Sequence, residues 1–244
     1  MFMLEVSSET ALHTEEVAVT ADLLRLNAFV EGGKPDYKLL DISEAKPTPD
    51  AVPVGSLDFC EKVLGVRTTP LNVPACLRDE CYTGRMVTEG GAAKLNELFK
   101  QRNQPLFVKS ATVAKADYTG IYRSGDKLPD DRYFISEVVD LDAEWRCFVY
   151  KGKVLDVRRY QGRYTNTLTK ADFQFIQKAV VAIDAMYRNT MQAYTLDVGK
   201  SSARELPMVI EVHNFLACGF YGFHDTKILP MLAAGAKTAR SSHS

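Results

Sequence analysis

Acidic side chains interrupt two apolar β-type runs in the second half of this sequence. Asp197 lies inside Tyr194–Val198, and Glu211 lies inside Pro207–His213. An acid within an apolar strand is costly to bury unless a cation or a metal ion pairs with it. Carboxylates are the ligands that Mg²⁺ prefers, so a divalent cation held between the two strands would account for both acids.

A second group of charges lies in the β-rich run from Arg132 to Tyr160. Side chains alternate between the two faces of a strand, so Glu144 and Arg146 share one face. Glu137 is the only acid in its own apolar strand and points the same way as Ile135. Without a ligand, these three charges would form an ion-pair patch on an open sheet face.

Cations occupy positions where they could bind anionic groups. Lys109 stands near the end of the strand Pro105–Ala111, directly before the small, polar loop Thr112–Gly125. A lysine that leaves a strand beside such a loop can hold a polyphosphate. Three arginines beyond the next hairpin could bind a substrate carboxylate bidentately, or could be solvated surface residues: Arg158, Arg159 and Arg163.

The elements that must position these side chains follow an α+β pattern. Strand-type and helical segments alternate over roughly the first 70 residues, which predicts a small α/β layer. In that layer Gly55-Ser56 precedes a helical segment and could bind an anion, although Ser56 as an ordinary N-cap explains it as well. Near the C-terminus we expect a short helix, Asp225–Ala234, followed by a frayed tail, Gly235–Ser244.

Composition limits the possible classes of protein. The 244 residues are 46% hydrophobic, and their net charge of −1 provides no footprint for nucleic acid or for an anionic membrane. No apolar run approaches the length of a membrane helix, and no basic segment typical of a signal peptide is seen. We therefore expect a cytoplasmic protein with no membrane or nucleic-acid partner. The sequence leaves the oligomeric state open.

The spacing of these residues resembles a known family. Glu137, Glu144 and the run Arg146-Cys147-Phe148-Val149 before a hairpin resemble the hinge and first large-lobe strands of the ATP-grasp ligases. The run is most similar to the branch that adds amino acids to peptide or protein ends. Gly219-Phe220-Tyr221-Gly222 resembles a compact ATP-grasp clade common in phages and mobile bacterial elements, which would place the protein in a host cytoplasm.

The resemblance implies an α+β fold in which two α+β lobes clamp ATP, preceded by a small α/β N-terminal domain. The implied boundaries are 1–75 for the N-terminal domain, 76–138 for the small lobe and 139–244 for the large lobe.

The resemblance also implies a role for each charged residue. Arg146 would be catalytic and would meet the γ-phosphate or an acyl phosphate, while Asp197 and Glu211 would hold Mg²⁺. ATP would be bound by Lys109 at the phosphates, by Glu137 and the backbone near Val139 at the adenine, and by Glu144 at the ribose. Two weaker candidates for phosphate contacts are Arg85 and Lys115.

This sequence departs from the family at the metal strand. The family pattern is Glu-x-Asn, whereas Glu211-Val212-His213-Asn214 places His213 where Asn is expected. Either His213 or Asn214 therefore completes the metal site. A separate zinc site made of His213, Cys218 and His224 is a further alternative, although it lacks a fourth ligand.

The resemblance implies an ATP-dependent carboxylate–amine ligase that acts through an acyl phosphate and releases ADP and phosphate. Its substrates would be a carboxylate and an amine on small molecules or peptides. One alternative is a non-catalytic ATP-grasp-like protein that binds a host or regulatory protein. Another is a nucleotidyl-transferring ligase, because Lys115-Ala116-Asp117-Tyr118 resembles the K-x-D-G motif, with Tyr118 where Gly is needed.

Overall fold

A computed structural model describes residues 1–7, 14–187 and 190–241 of the chain, which adopts an α+β fold with three separate sheets. The first sheet belongs to the N-terminal unit, where three parallel strands lie in the order β2-β1-β3. The elements of this unit are β1 (Phe2–Val6), α1 (Glu15–Glu31), β2 (Tyr37–Asp41), β3 (Val52–Val54) and α2 (Leu57–Leu64).

The turn before α2 shows why no external anion is needed there. Ser56 caps the helix by accepting a hydrogen bond from the backbone N–H of Phe59, 3.2 Å away. The Glu5 carboxylate accepts from both the backbone N–H and the hydroxyl of Ser56. The chain's own acid therefore occupies the helix N-terminus, and the capping interpretation of Ser56 is confirmed.

The second sheet is antiparallel and has the order β4-β7-β5-β6. One face packs against a helix through Leu95, Leu98 and Phe99. The opposite face carries Phe107, Lys109 and Phe134, which is the alternation expected along β5 and β7. The elements are α3 (Glu80–Thr83), β4 (Val87–Gly90), α4 (Ala92–Arg102), β5 (Leu106–Ser110), β6 (Gly120–Tyr122) and β7 (Tyr133–Glu137).

The third sheet is also antiparallel, in the order β11-β10-β8-β9. Lys151-Gly152 forms the predicted hairpin turn with φ angles of 48° and 71°. One face of the sheet packs under a long helix, and the other carries Glu144, Arg146 and Asp197. The elements are β8 (Ala143–Tyr150), β9 (Lys153–Gly162), α5 (Lys170–Tyr187), β10 (Ala193–Lys200) and β11 (Met208–Asn214).

The C-terminal helix is longer than the sequence indicated. The expected end at Ala234 is wrong, because α6 spans Ile228–Ser241 and buries Gly235, Ala236 and Ala239. These small residues let α6 approach the N-terminal unit closely, which a search for large apolar residues misses. Residues 242–244 of the expected tail lie outside the described residues. None of the described helices is both long and apolar enough to cross a membrane.

The apolar residues form three clusters, and one of them joins distant parts of the chain. It combines the N-terminal unit and α6 with Phe148, Ala193 and Phe215 from the third sheet and the turn after it. The N-terminal unit therefore shares a core with the C-terminal half. The boundaries at 75/76 and 138/139 stay predictions.

Candidate active site

A cavity of about 540 Å³ lies between the second and third sheets and is closed on one side by the N-terminal unit through Leu57. Its walls carry charges of both signs in close proximity. Eight of the residues singled out from the sequence line it: Arg85, Lys109, Lys115, Glu144, Arg146, Glu211, His213 and Asn214.

Arg146 and Asp197 form a buried ion pair at the base of the cavity. The register of β8 and β10 sets the two residues side by side. Arg146 donates from Nε to Asp197 Oδ1 (2.9 Å) and from Nη2 to Oδ2 (2.7 Å), and a third bond reaches the carbonyl of Gly219 (3.3 Å). Burial alone would lower the pKa of Arg146, but the Asp197 carboxylate outweighs burial and raises it. The guanidinium is therefore permanently charged.

Glu211 lies between two basic side chains. Lys109 Nζ binds its Oε2, and the ring Nε2 of His213 bonds its Oε1. Burial would raise the pKa of Glu211, but His213 and Lys109 outweigh burial and hold it well below its ordinary range. Lys109 also lies 5.3 Å from the ring centre of Phe134, so this lysine bridges the second and third sheets.

Glu144 connects to the same cluster through Tyr160. The hydroxyl of Tyr160 donates to Glu144 Oε2 at 2.8 Å and lies 3.4 Å from Asp197 Oδ2. Burial raises the pKa of Glu144, and the charges of Asp197 and Glu211 act in the same direction. A positive ligand or an additional hydrogen-bond donor would relieve this excess of negative charge.

The residues expected to bind a metal come together. One carboxylate oxygen each from Asp197 and Glu211 and one ring nitrogen of His213 all lie within 4.8 Å of one another. Asn214 also lines the cavity, and its buried Oδ1 has no hydrogen-bond partner among the described residues. Two carboxylates with an added nitrogen or amide oxygen suit a divalent cation.

The alternative zinc set is not assembled. Within residues 1–7, 14–187 and 190–241, the ligand group that contains His213 includes neither Cys218 nor His224. Cys218 is buried, and burial raises the pKa of its thiol to about 12, which disfavours the thiolate that zinc requires. The zinc interpretation is therefore wrong.

Arg85 is a buried cation at the cavity wall. Its Nη1 donates to the carbonyls of Thr83 (2.9 Å) and Val209 (3.0 Å), and burial lowers its pKa to about 10. In the part of the chain that the structure describes, no carboxylate lies within ion-pair distance of it. An anionic ligand would offset the cost of burying this charge.

The segment between β5 and β6 (residues 111–119, here the β5–β6 loop) projects over the cavity. Lys115 is exposed and has a φ of 55°. Asp131 fixes the loop by accepting hydrogen bonds from the hydroxyls of Ser110 (2.5 Å), Thr112 (2.6 Å) and Tyr118. Tyr118 is committed to Asp131 and packs against Tyr133, so it does not provide the open position that Gly supplies in K-x-D-G.

Glu137 is not brought to the cavity. Because it alternates with Ile135, it lies on the face of the second sheet that α4 covers. Its carboxylate pairs with Arg102 and accepts from the backbone N–H of Met86 at 2.9 Å. Val139, in the connection between β7 and β8, also lies outside the cavity lining.

The three arginines beyond the hairpin are split between two faces and do not line the cavity. Arg158 pairs in register with Arg146 and therefore lies on the cavity side, where it forms an ion pair with Asp156 (2.6 Å). Arg159 pairs with Trp145 on the opposite face and donates to the carbonyl of Arg163 at 2.6 Å.

An aromatic pair that sequence reasoning missed covers Arg146. The rings of Tyr160 and Tyr221 stack with centroids 5.1 Å apart, and both lie within 6 Å of the guanidinium. Glu15 and Glu16 at the start of α1 hold this arrangement, because they accept from the backbone N–H of Gly222 (2.7 Å) and Phe220 (3.2 Å). Tyr160 could have been found by alternation from Arg158, but nothing in the sequence signals the contact with α1.

Comparison with known proteins agrees with this geometry. Residues 82–231 match the family model of an ATP-grasp domain, the second family of one ATP-grasp clade. No significant match to a curated protein was found.

Solved structures of ATP-grasp proteins share the fold. D-alanine–D-alanine ligase from Bacillus anthracis is 16% identical with a TM-score of 0.54, and the alignment covers 100% of this chain and 98% of that chain. A RimK domain ATP-grasp protein from Sphaerobacter thermophilus is 11% identical with a TM-score of 0.54, covering 98% and 99%. The ATP-grasp ligase PsnB, complexed with its minimal precursor, is 11% identical with a TM-score of 0.52, covering 97% and 98%.

At these identities the structural likeness shows the fold, whereas the family model spans more than half of the chain. The ATP-grasp family comprises ATP-dependent carboxylate–amine ligases. The chain belongs to the ATP-grasp family.

Proposed function

We propose that this protein is an ATP-dependent carboxylate–amine ligase that acts through an acyl phosphate and releases ADP and phosphate. One observation carries the proposal: cations and acids from facing sheets alternate within one cavity, with Lys109 against Glu211 and Arg146 against Asp197. Each cation is suited to a phosphate oxygen, and each acid is suited to a metal ion.

The chemistry explains why such a site needs no protein nucleophile. An oxygen of the substrate carboxylate attacks the γ-phosphorus and displaces ADP, which turns a poor electrophile into an acyl phosphate. The amine nitrogen then attacks the carbonyl carbon and loses a proton, and phosphate leaves with one oxygen of the original carboxylate. Both steps depend on charge neutralisation and positioning.

The residues divide this work. Lys109 and Arg85 would bind the phosphates, with Lys115 on the β5–β6 loop approaching from the opposite side. Arg146 would neutralise the charge that develops on the transferred group, since its fork is fixed in place by Asp197. Glu144, already hydrogen-bonded to Tyr160, would accept a hydroxyl of the ribose.

The adenine would lie at the connection between β7 and β8, bound by backbone groups near Val139. The carboxylate of Glu137 is engaged by Met86 and Arg102, so its part would be to hold that connection in place. This assigns the adenine to the backbone rather than to an acidic side chain.

Asp197 and Glu211 would hold Mg²⁺, with His213 or Asn214 completing the set. The donors fit, because two carboxylates converge with a third ligand atom within 4.8 Å. Bound Mg²⁺ would neutralise the triphosphate and polarise the γ-phosphoryl group. Lys109 and Arg146 would then exchange their carboxylate partners for phosphate oxygens.

The substrates would be a carboxylate and an amine carried by small molecules or peptides. The structural relatives include a ligase named for D-alanine and one complexed with a precursor peptide. Arg158 lies on the cavity side next to Arg146 and is the candidate for binding a substrate carboxylate, whereas Arg159 and Arg163 would act only at the rim.

The test is turnover with pooled amino acids and short peptides in the presence of ATP and MgCl₂. We expect ADP and phosphate, with ¹⁸O from labelled carboxylate appearing in the released phosphate. Lys109→Met should abolish turnover, whereas Lys100→Met, on the exposed side of α4, should not. AMP and pyrophosphate would reject the acyl-phosphate route in favour of nucleotidyl transfer through Lys115. Nucleotide binding without turnover of any pool would favour the non-catalytic alternative.

A further inference from the structure

His213 introduces a nitrogen donor into a site otherwise built from oxygen. It lies two residues after Glu211 on β11, so both side chains project from the same face into the cavity. Register places His213 opposite Thr195 and Glu211 opposite Asp197 on the neighbouring strand. The imidazole therefore belongs to the same cluster of ligand atoms as the two carboxylates.

The existing contacts show which ligand atoms can be released to a cation. Both oxygens of Asp197 are engaged by Arg146, and Lys109 takes Oε2 of Glu211. The remaining oxygen of Glu211, Oε1, faces Nε2 of His213 across a single hydrogen bond. A cation that replaced this proton would bind Glu211 and His213 together without breaking the buried Arg146–Asp197 pair.

The kind of donor decides which cation this position favours. Mg²⁺ is a hard ion that binds oxygen ligands and keeps much of its water. An imidazole nitrogen suits first-row transition metals, while carboxylates and phosphate oxygens still accommodate Mn²⁺. A mixed nitrogen and oxygen set therefore shifts the preference away from Mg²⁺.

We propose that His213 is a metal ligand and makes this site favour a divalent first-row transition metal, represented by Mn²⁺, over Mg²⁺. This inference rests on the proposed function for the presence of a metal, and it adds the identity of the ion. The family pattern Glu-x-Asn would place an amide oxygen at position 213, so the substitution His213→Asn restores an all-oxygen set.

Direct metal binding provides the test. Mn²⁺ is titrated into the full chain, first alone and then with the non-hydrolysable analogue AMPPNP, and the free ion is followed by electron paramagnetic resonance while Mg²⁺ competes. In His213→Asn we expect the Mn²⁺ affinity to fall at least about tenfold, since even outer partners of metal ligands are worth about 10–100-fold. The Mg²⁺ affinity should stay the same or rise.

A spectroscopic signature identifies the ligand itself. Electron spin echo modulation from an imidazole nitrogen should appear on Mn²⁺ bound to the wild-type chain and be absent in His213→Asn. The matched control is Asn214→Ala, which removes the neighbouring candidate and should leave both the modulation and the Mn²⁺ preference in place. Thermal unfolding of each variant shows that the comparison is made on folded protein.

The outcomes separate this inference from the proposed function. If AMPPNP binds but Mn²⁺ and Mg²⁺ bind equally in the wild type and in His213→Asn, the transition-metal preference is overturned and the ligase proposal stands. If AMPPNP does not bind with either ion, the proposed function fails. The titration with Mn²⁺ alone still decides whether His213 is a ligand, because a wild-type spectrum without the nitrogen modulation would overturn it.

Discussion

Arg146 and Asp197 hold each other in place at the residue scale. Asp197 is 1% exposed and its partner 8%, and two parallel hydrogen bonds fix the guanidinium plane. A buried charge of this kind is tolerated because its partner and its hydrogen bonds are all present. The pair therefore orients Arg146 before any substrate arrives, and the stacked rings of Tyr160 and Tyr221 limit its other conformations.

Removing one partner of this pair should be far more harmful than removing an exposed charge. Asp197→Ala leaves the Arg146 guanidinium buried without its carboxylate, and we expect a loss of about 3–5 kcal/mol in the free energy of unfolding. Arg158→Ala, which breaks the exposed pair with Asp156, should cost about 1 kcal/mol or less. Urea unfolding of both variants measures the difference, and equal losses would show that burial does not set the strength of the inner pair.

At the scale of elements, Asp131 joins the β5–β6 loop to the start of β7. Hydroxyls of Ser110, Thr112 and Tyr118 converge on its carboxylate. Burial would raise the pKa of Asp131, but these hydrogen bonds outweigh it and lower the pKa from 3.8 to about 2. One acid thus determines how the loop that carries Lys115 sits over the cavity.

This shift predicts a defined acid sensitivity. A carboxyl whose pKa is depressed by folding stabilises the protein above its unfolded value of 3.8, and this contribution is lost as the pH falls towards 2. Asp131→Asn should remove that part of the acid lability and increase amide exchange across residues 111–119. The exposed neighbour gives the control, since Asp130→Asn should change neither. Unaltered exchange in Asp131→Asn would show that the loop is held by other contacts.

The sequence predicted faces better than partners. Alternation along predicted strands correctly placed Glu144 with Arg146 and Glu211 with His213, because that periodicity is local. It did not indicate that Asp197 pairs with Arg146, since this follows from the order β11-β10-β8-β9, in which β8 and β10 are neighbours although α5 separates them along the chain.

Glu137 illustrates the same limit on the second sheet. Its alternation with Ile135 was clear, but the face that lines the cavity depends on where α4 packs. That choice is made by the core as a whole rather than by β7. Contacts of this long-range kind, including those of Glu15 and Glu16 with the loop around Tyr221, lie beyond a reading of local pattern.

At the scale of the whole molecule, α6 connects the N-terminal unit to the cavity wall. Its buried face joins the cluster that contains α1, α2 and Phe215, and Arg240 donates to the carbonyl of Ala51 at 2.5 Å. The turn after β11, which includes Phe215 and leads to Tyr221, is therefore held between α6 and α1. Stability of the N-terminal unit and the position of this cavity wall should change together.

Gly235 in α6 provides the sharpest test of that arrangement. Alanine favours a helix over glycine by about 1 kcal/mol, so propensity alone predicts that Gly235→Ala stabilises the protein. A Cβ at this position, however, would collide with the backbone oxygen of Phe215, which cannot move aside as a flexible side chain can. Overpacking of this kind costs about 1–3 kcal/mol, so we expect a net loss of about 1–2 kcal/mol.

Urea unfolding measures this loss, and Gly33→Ala is the matched control because a Cβ there meets no atom within 4 Å. That variant should be neutral or more stable by up to about 1 kcal/mol. Amide exchange should also rise together in α1, α6 and the turn around Tyr221 of Gly235→Ala, since all three share one core. A rise confined to α6 would mean that the helix is packed against the rest of the molecule without supporting the cavity wall.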